Sequence, residues 1–157
     1  MYDEKMLLHE DHFGKHPERP ARIQSIHDYL KDIELLNEMK LLDTVESTIN
    51  VSSCGTSSYP VIETVHEPKT IELIQKNIKH LGEGETKKVE KYSVYYNKHT
   101  LDAAKFASDS VLTAVCEVLD DESPRNRGFC IVRPPGHHAH SDHHAGFCFF
   151  NHVALGA

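Results

Sequence analysis

Apolar residues recur along this chain at two different spacings, and the alternation between the spacings predicts its elements. From Pro17-Glu18-Arg19-Pro20 onward, Ile23, Ile26, Tyr29 or Leu30, and Ile33 return every three or four residues, which predicts an amphipathic helix to about Met39. The stretch from Glu46 to Tyr59 is polar, rich in Ser and Thr, and reads as a loop or a short strand followed by a loop. After Val65-His66-Glu67-Pro68, a second helix places Ile71, Ile74, Ile78 and Leu81 on one face and ends at Gly82, with Lys79 and His80 suiting its negative end. A charged loop from Gly82 to Lys91 leads to a short strand or extended piece, Ser93-Val94-Tyr95-Tyr96. Thr100 then caps a third helix whose stripe is Leu101, Ala104, Ala107, Val111, Val115 and Val118. Beyond an Asp120 to Arg127 loop, Phe129 to Val132 is an apolar run fit for a strand covered on both faces, and Asn151 to Ala157 begins another helix. Helices alternating with short buried strands imply an α/β layered fold.

The segment after that apolar run is the part in which chemistry is written. Pro134 and Pro135 fix their backbone φ and remove two N–H donors, so a strand must stop there, and Gly136 can turn sharply. The turn delivers His137 and His138 side by side. In sheets of parallel strands the loops leaving the carboxyl ends line the site, so this is the expected place for an active-site loop.

Composition changes the picture only by exclusion. With 157 residues, 39% hydrophobic and 26% charged, the chain has the make-up of one globular domain. A formal charge of −7 and a pI near 6.0, with no basic stripe, argue against direct nucleic-acid binding. Cys54, Cys116, Cys130 and Cys148 show no paired spacing and read as reduced, intracellular thiols. No apolar leader follows Met1 and no run is long enough to span a bilayer, so no membrane association is expected. The expected compartment is the nucleus, the cytoplasm or both.

Two adjacent imidazoles titrate as a coupled pair, because protonating one disfavours protonating the other. Such a pair suits general acid–base chemistry near neutral pH, one histidine taking a proton from water and one giving a proton to a leaving group. Two other readings stand beside it. The pair could be a polar loop without chemistry, or His137, His138, His140, His143 and His144 could gather three imidazoles around zinc, copper or nickel. Gly146 is a place where a substrate could approach the backbone carbonyl closely, and Phe147 to Phe150 reads as core.

Arg133-Pro134-Pro135-Gly136-His137-His138-Ala139 and Gly146-Phe147-Cys148-Phe149-Phe150-Asn151 together resemble the signature of the zinc-dependent histone deacetylases, closest to the class II branch. The resemblance extends through Tyr2 to Met6, His16 to Ile23, Val65-His66 and Ser93 to Tyr96, in order along nearly the whole chain. It implies the arginase/deacetylase fold, a mostly parallel sheet flanked by helices, and hydrolysis of acetyl-lysine amides. His137 and His138 would be the tandem catalytic histidines that activate water and protonate the intermediate. Phe147 would line one wall of the acyl-lysine channel, and the Gly146 backbone would meet the lysine amide. Ser93 would hydrogen-bond the substrate backbone at the rim, His16 and Pro17 would sit on that rim, and Arg22 would lie near an inner acetate pocket. The resemblance gives His140, His143 and His144 no role.

The family's zinc (Zn2+) ligands, an Asp-His-Asp set, and its transition-state tyrosine have no counterpart among these 157 residues. The expectation is therefore that residues 1–157 are the N-terminal portion of a single deacetylase domain, truncated before the metal-binding strands and inactive alone. Its partners would be acetylated proteins such as histone tails, with a corepressor complex around them and a part in transcription repression. An acetylpolyamine amidohydrolase and a non-catalytic interaction module are the alternatives.

Overall fold

The third helix organises the molecule. The computed structural model describes residues 1–14, 16–43, 61–124 and 126–157. Its helices are α1 (Ala21–Asp32), α2 (Pro68–Ile78), α3 (Thr100–Leu119) and α4 (His152–Gly156), and its strands are β1 (Lys87–Val89) and β2 (Val94–Tyr96). One face of α3 is built from small residues, with Ala103, Ala104, Ala107, Ser108 and Ser110 all buried. Small side chains let neighbours approach the helix closely, and α2, α4 and the 3-10 helix Glu4–Leu8 all pack on it. Gly156 of α4 shows how tight this is, since a Cβ there would lie 3.3 Å from Val115.

Two apolar clusters meet around α3. Ile62, Ile71, Ile74, Val94, Tyr96, Leu101, Ala104, Phe149 and Phe150 form the larger one, and Met6, Ile23, Ala107 and Ile131 the smaller. Phe149 and Phe150 lie at the centre of the larger cluster, so the segment following the histidines is held by core packing.

Several boundaries differ from those the spacing predicts. The first helix stops at Asp32, because Glu34 takes a left-handed conformation at φ 61° that breaks the helix before the separate 3-10 turn Leu35–Glu38. Its predicted apolar face is only partly used: Ile23 is buried and Leu30, not Tyr29, packs against the same cluster, while Tyr29 is 63% exposed. The second helix begins at Pro68 as expected but ends at Ile78, and Gly82 is not its left-handed cap. The N-cap of α3 is His99, one residue before Thr100. The Thr100 hydroxyl instead accepts from Asn97 N–H at 2.8 Å and meets His9 Nδ1 at 3.0 Å.

The expected charged loop contains β1, which pairs antiparallel with β2 in the register Lys87 to Tyr96 and Val89 to Val94. Phe129 to Val132, expected as a strand buried on both faces, is extended chain without a ladder. Its partner is the start of the chain: Ile131 N–H donates to Met1 O, and the Met1 ammonium donates to Phe129 O, both at 2.9 Å. Ile131 is buried, but Phe129 is 58% exposed. Among the described residues the sheet is two-stranded and antiparallel. No helix among them is long and apolar enough to cross a membrane. The predicted Glu46 to Tyr59 loop, with Cys54, lies outside the described residues.

Candidate active site

The loop from Arg133 to Asn151 is fixed at several points, and each anchor falls on a residue whose chemistry permits it. Its first peptide bond, Arg133–Pro134, is cis. The Arg133 side chain is fully buried and forms a bidentate pair with Glu18, Nε to Oε1 at 2.9 Å and Nη2 to Oε2 at 2.8 Å. Its third nitrogen donates to Met6 O at 2.7 Å. Next, His152 Nε2–H donates to Pro134 O at 3.0 Å, while Ser108 Oγ sits 2.9 Å from its Nδ1. Gly136 lies flat on the following segment, since a Cβ there would be 2.5 Å from Phe150 O and 2.8 Å from His152 N.

That turn leaves His137 and His138 exposed, with ring centroids 4.3 Å apart and planes inclined by 53°. His138 N–H donates to Cys148 Sγ at 3.4 Å, and the Cys148 thiol donates to Gly146 O at 3.3 Å. Burial pushes the Cys148 thiol up from its ordinary value, so it stays protonated as a donor. Gly146 has φ +50°, and a Cβ on it would lie 2.8 Å from the His138 ring. Glycine is what lets this backbone press against His138.

Phe147 follows with φ 72° and Ser93 has φ 50°; both are left-handed non-glycine residues, and Phe147 N–H donates to Ser93 O at 3.2 Å. Backbone strain gathered at one spot is a mark of functional geometry. The Phe147 ring meets the edge of His16 at 4.7 Å, and His16 meets Tyr95 at 4.7 Å. Glu18 N–H donates to His16 Nδ1 at 3.1 Å. The structure thus brings His137, His138, Gly146, Phe147, Ser93 and His16 together as one surface. Pro17 is exposed beside His16. Arg22 is tied to Glu18, donating from Nη1 to Oε1 at 3.1 Å.

Sequence reading passed over the residues behind this surface. Glu18 and Arg133 stand inside the recognised motifs, yet nothing in spacing shows that both are buried and paired. Tyr95 Oη donates to Glu18 Oε2 at 3.1 Å and accepts from Arg133 Nη2 at 2.9 Å; burial, with the Glu18 charge, raises its pKa. His66 Nδ1–H donates to His140 O at 2.9 Å and its Nε2 accepts from Asn151 N–H at 2.8 Å, which fixes its tautomer. Burial lowers its pKa, and it lowers those of His144 and His152 to about 4.

The gathered-imidazole metal reading does not survive the geometry. His144 is buried with its Nδ1 2.9 Å from Tyr96 Oη, while His140 and His143 stack face to face at 4.1 Å with His143 turned to Asp142. Stacked rings cannot converge their nitrogens on one ion. Among the described residues no three His, Cys, Asp or Glu side chains form a group that could hold a metal ion.

The histone deacetylase domain model matches residues 16–157. The chain belongs to the histone deacetylase family. It is 34% identical over 152 residues to Histone deacetylase 6 of Caenorhabditis elegans, which spans 96% of this chain and 15% of that protein. It is 30% identical over 167 residues to Histone deacetylase HDA1 of Saccharomyces cerevisiae, spanning 99% of this chain and 23% of that protein. The crystal structure of the HDA15 HD domain superposes with a TM-score of 0.79 at 26% identity, covering 99% of this chain and 40% of that one. The chain therefore has the arginase/deacetylase fold in part, and spans under a quarter of these two curated relatives.

Proposed function

We propose that this chain carries the acid–base half of a class II-like protein lysine deacetylase site, acting on acetyl-lysine amides to give lysine and acetate. The observation that carries the reading is the tandem pair, His137 and His138 at 4.3 Å, exposed on a clamped loop beside the wall made by Phe147 and His16. One imidazole takes a proton as water adds to the acetyl carbonyl. The pair then returns a proton to the lysine nitrogen as the C–N bond breaks. Phe147 flanks the lysine methylenes, Gly146 O accepts the substrate amide N–H, and Ser93 with His16 and Pro17 forms the rim. Arg22, tied to Glu18, is assigned to the acetate end.

Family membership implies a metal cofactor, and we take zinc as the metal of a complete domain. The ligands that the family resemblance implies have no counterpart in this sequence, and the groups we assign to this chain are acid–base and channel groups. For the same reason residues 1–157 alone are expected to release no acetate. The net charge of −7 favours basic substrates such as acetylated histone tails, and the nucleus or cytoplasm is the compartment we propose for that activity.

The test has two arms. In a longer chain that turns over acetyl-lysine peptide, His137→Ala or His138→Ala should lower kcat on the order of a hundredfold with metal content unchanged. Metal lost in step with activity would defeat the acid–base assignment, and preference for an acetylpolyamine over the peptide would move the substrate class. Acetate release by residues 1–157 alone would overturn the expectation of inactivity.

A further inference from the structure

We propose that Glu18 is a positioning residue for the tandem histidines and for the channel wall at once. This rests on the reading of His137 and His138 as acid–base groups. The Glu18 side chain is 1% exposed, and four donors converge on its carboxylate: Nε and Nη2 of Arg133, Oη of Tyr95 and Nη1 of Arg22. A buried carboxylate needs such compensation, and bidentate pairing fixes direction as well as charge.

What the carboxylate holds lies on both sides of the candidate channel. On one side, Arg133 begins the loop, and the two prolines after it have fixed φ, so the place of its backbone sets where His137 and His138 emerge. On the other side, Tyr95 rests on Glu18 through its hydroxyl and on His16 through its ring, and His16 meets Phe147. The Glu18 N–H also holds His16 Nδ1. One side chain thereby sets the separation between the imidazole pair and the aromatic wall.

A pair that only stabilised the core would behave differently. Buried ion pairs are replaceable by apolar residues of like volume, often without loss of stability. The double variant Glu18→Leu with Arg133→Met should therefore recover stability while leaving the site misplaced.

The experiment is two-dimensional imidazole NMR on residues 1–157. In Glu18→Gln, the cross-peaks of His137, His138 and His16 should shift or broaden, while that of His27, stacked on Tyr2 outside the network, should hold. The double variant should melt near wild type and still show displaced His137 and His138. Unmoved His137 and His138 signals in folded Glu18→Gln, or their full recovery in the double variant, overturns the proposal. Should both variants fail to fold, Tyr95→Phe takes one hydroxyl from the carboxylate and leaves the ion pair; unmoved His16 and His138 signals there overturn it equally. An acetyl-lysine peptide that perturbs neither His138 nor Phe147 in the wild-type chain defeats the functional reading instead, because the variant spectra report loop geometry without substrate.

Discussion

Two glycines in the histidine loop face different neighbours, and the difference ranks their substitutions. A Cβ at Gly136 would meet backbone atoms, Phe150 O at 2.5 Å and His152 N at 2.8 Å, which cannot give way without moving α4. A Cβ at Gly146 would meet the His138 side chain, whose ring at 2.8 Å can rotate but whose Cβ at 3.1 Å must shift by a few tenths of an ångström, with about 1 kcal/mol more for a left-handed alanine. Gly136→Ala should therefore destabilise by about 2–3 kcal/mol, and Gly146→Ala by less while displacing His138. Thermal melting checks the ranking, and Gly146→Ala melting below Gly136→Ala would refute it. Glycine at both positions is readable in the sequence, but what each one touches belongs to the fold. Glu18 and Arg133 teach the same lesson, since a charged residue in a motif looks solvated until its partner, 115 residues away, is placed.

The buried histidines give the loop a pH dependence with a definite sign. His144 and His152 are neutral in the folded chain, with pKa values near 4, against about 6.5 when unfolded. Between those values the unfolded chain binds more protons, so stability is full above pH 6.5 and falls as pH drops toward 4. Each histidine contributes a slope of up to about 1.4 kcal/mol per pH unit, and His9 and His66, also lowered by burial, steepen it. His152→Asn should flatten the fall in urea-unfolding free energy between pH 7 and pH 5. An unchanged fall would remove His152 as a source.

At the scale of elements, hydrophobic period locates helices better than it locates their buried faces. Ile23, Ile26 and Tyr29 or Leu30 recur along α1, yet only Ile23 is buried and Leu30 half-buried. Period reports that a face could be covered; contact with Met6, Ala107 and Ile131 buries Ile23, and Leu30 packs against the same cluster in part. Ile23→Ala should cost about 2–4 kcal/mol, while Tyr29→Gln should stay within about 0.5 kcal/mol of wild type. Equal losses would mean that the outer face is packed in solution. Of the two short strands, β2 is legible in Ser93 to Tyr96, while β1 is not, for another reason. β1 is Lys-Lys-Val, without an apolar alternation, and is a strand only because β2 lies beside it. The Phe129 to Val132 run has the opposite problem, a strand's composition without a neighbouring strand among the described residues.

At the scale of the whole molecule, that unpaired run has a consequence for association. Phe129 is 58% exposed, Leu119 at the end of α3 is 74% exposed, and Val153 on α4 is 70% exposed. Large apolar side chains left in water are a route to self-association, and among the described residues the backbone of this stretch is bonded to Met1 rather than to a strand. The charge of −7 opposes this at low ionic strength, and salt screens it. Residues 1–157 should therefore sediment as a smaller species in low salt and as larger species as salt rises. Phe129→Asp with Leu119→Lys should suppress the larger species and the binding of a hydrophobic dye without lowering the helix signal, because neither side chain belongs to the two core clusters. Salt-independent association that survives the double substitution would shift the cause to another surface, with the exposed α1 stripe the next to test.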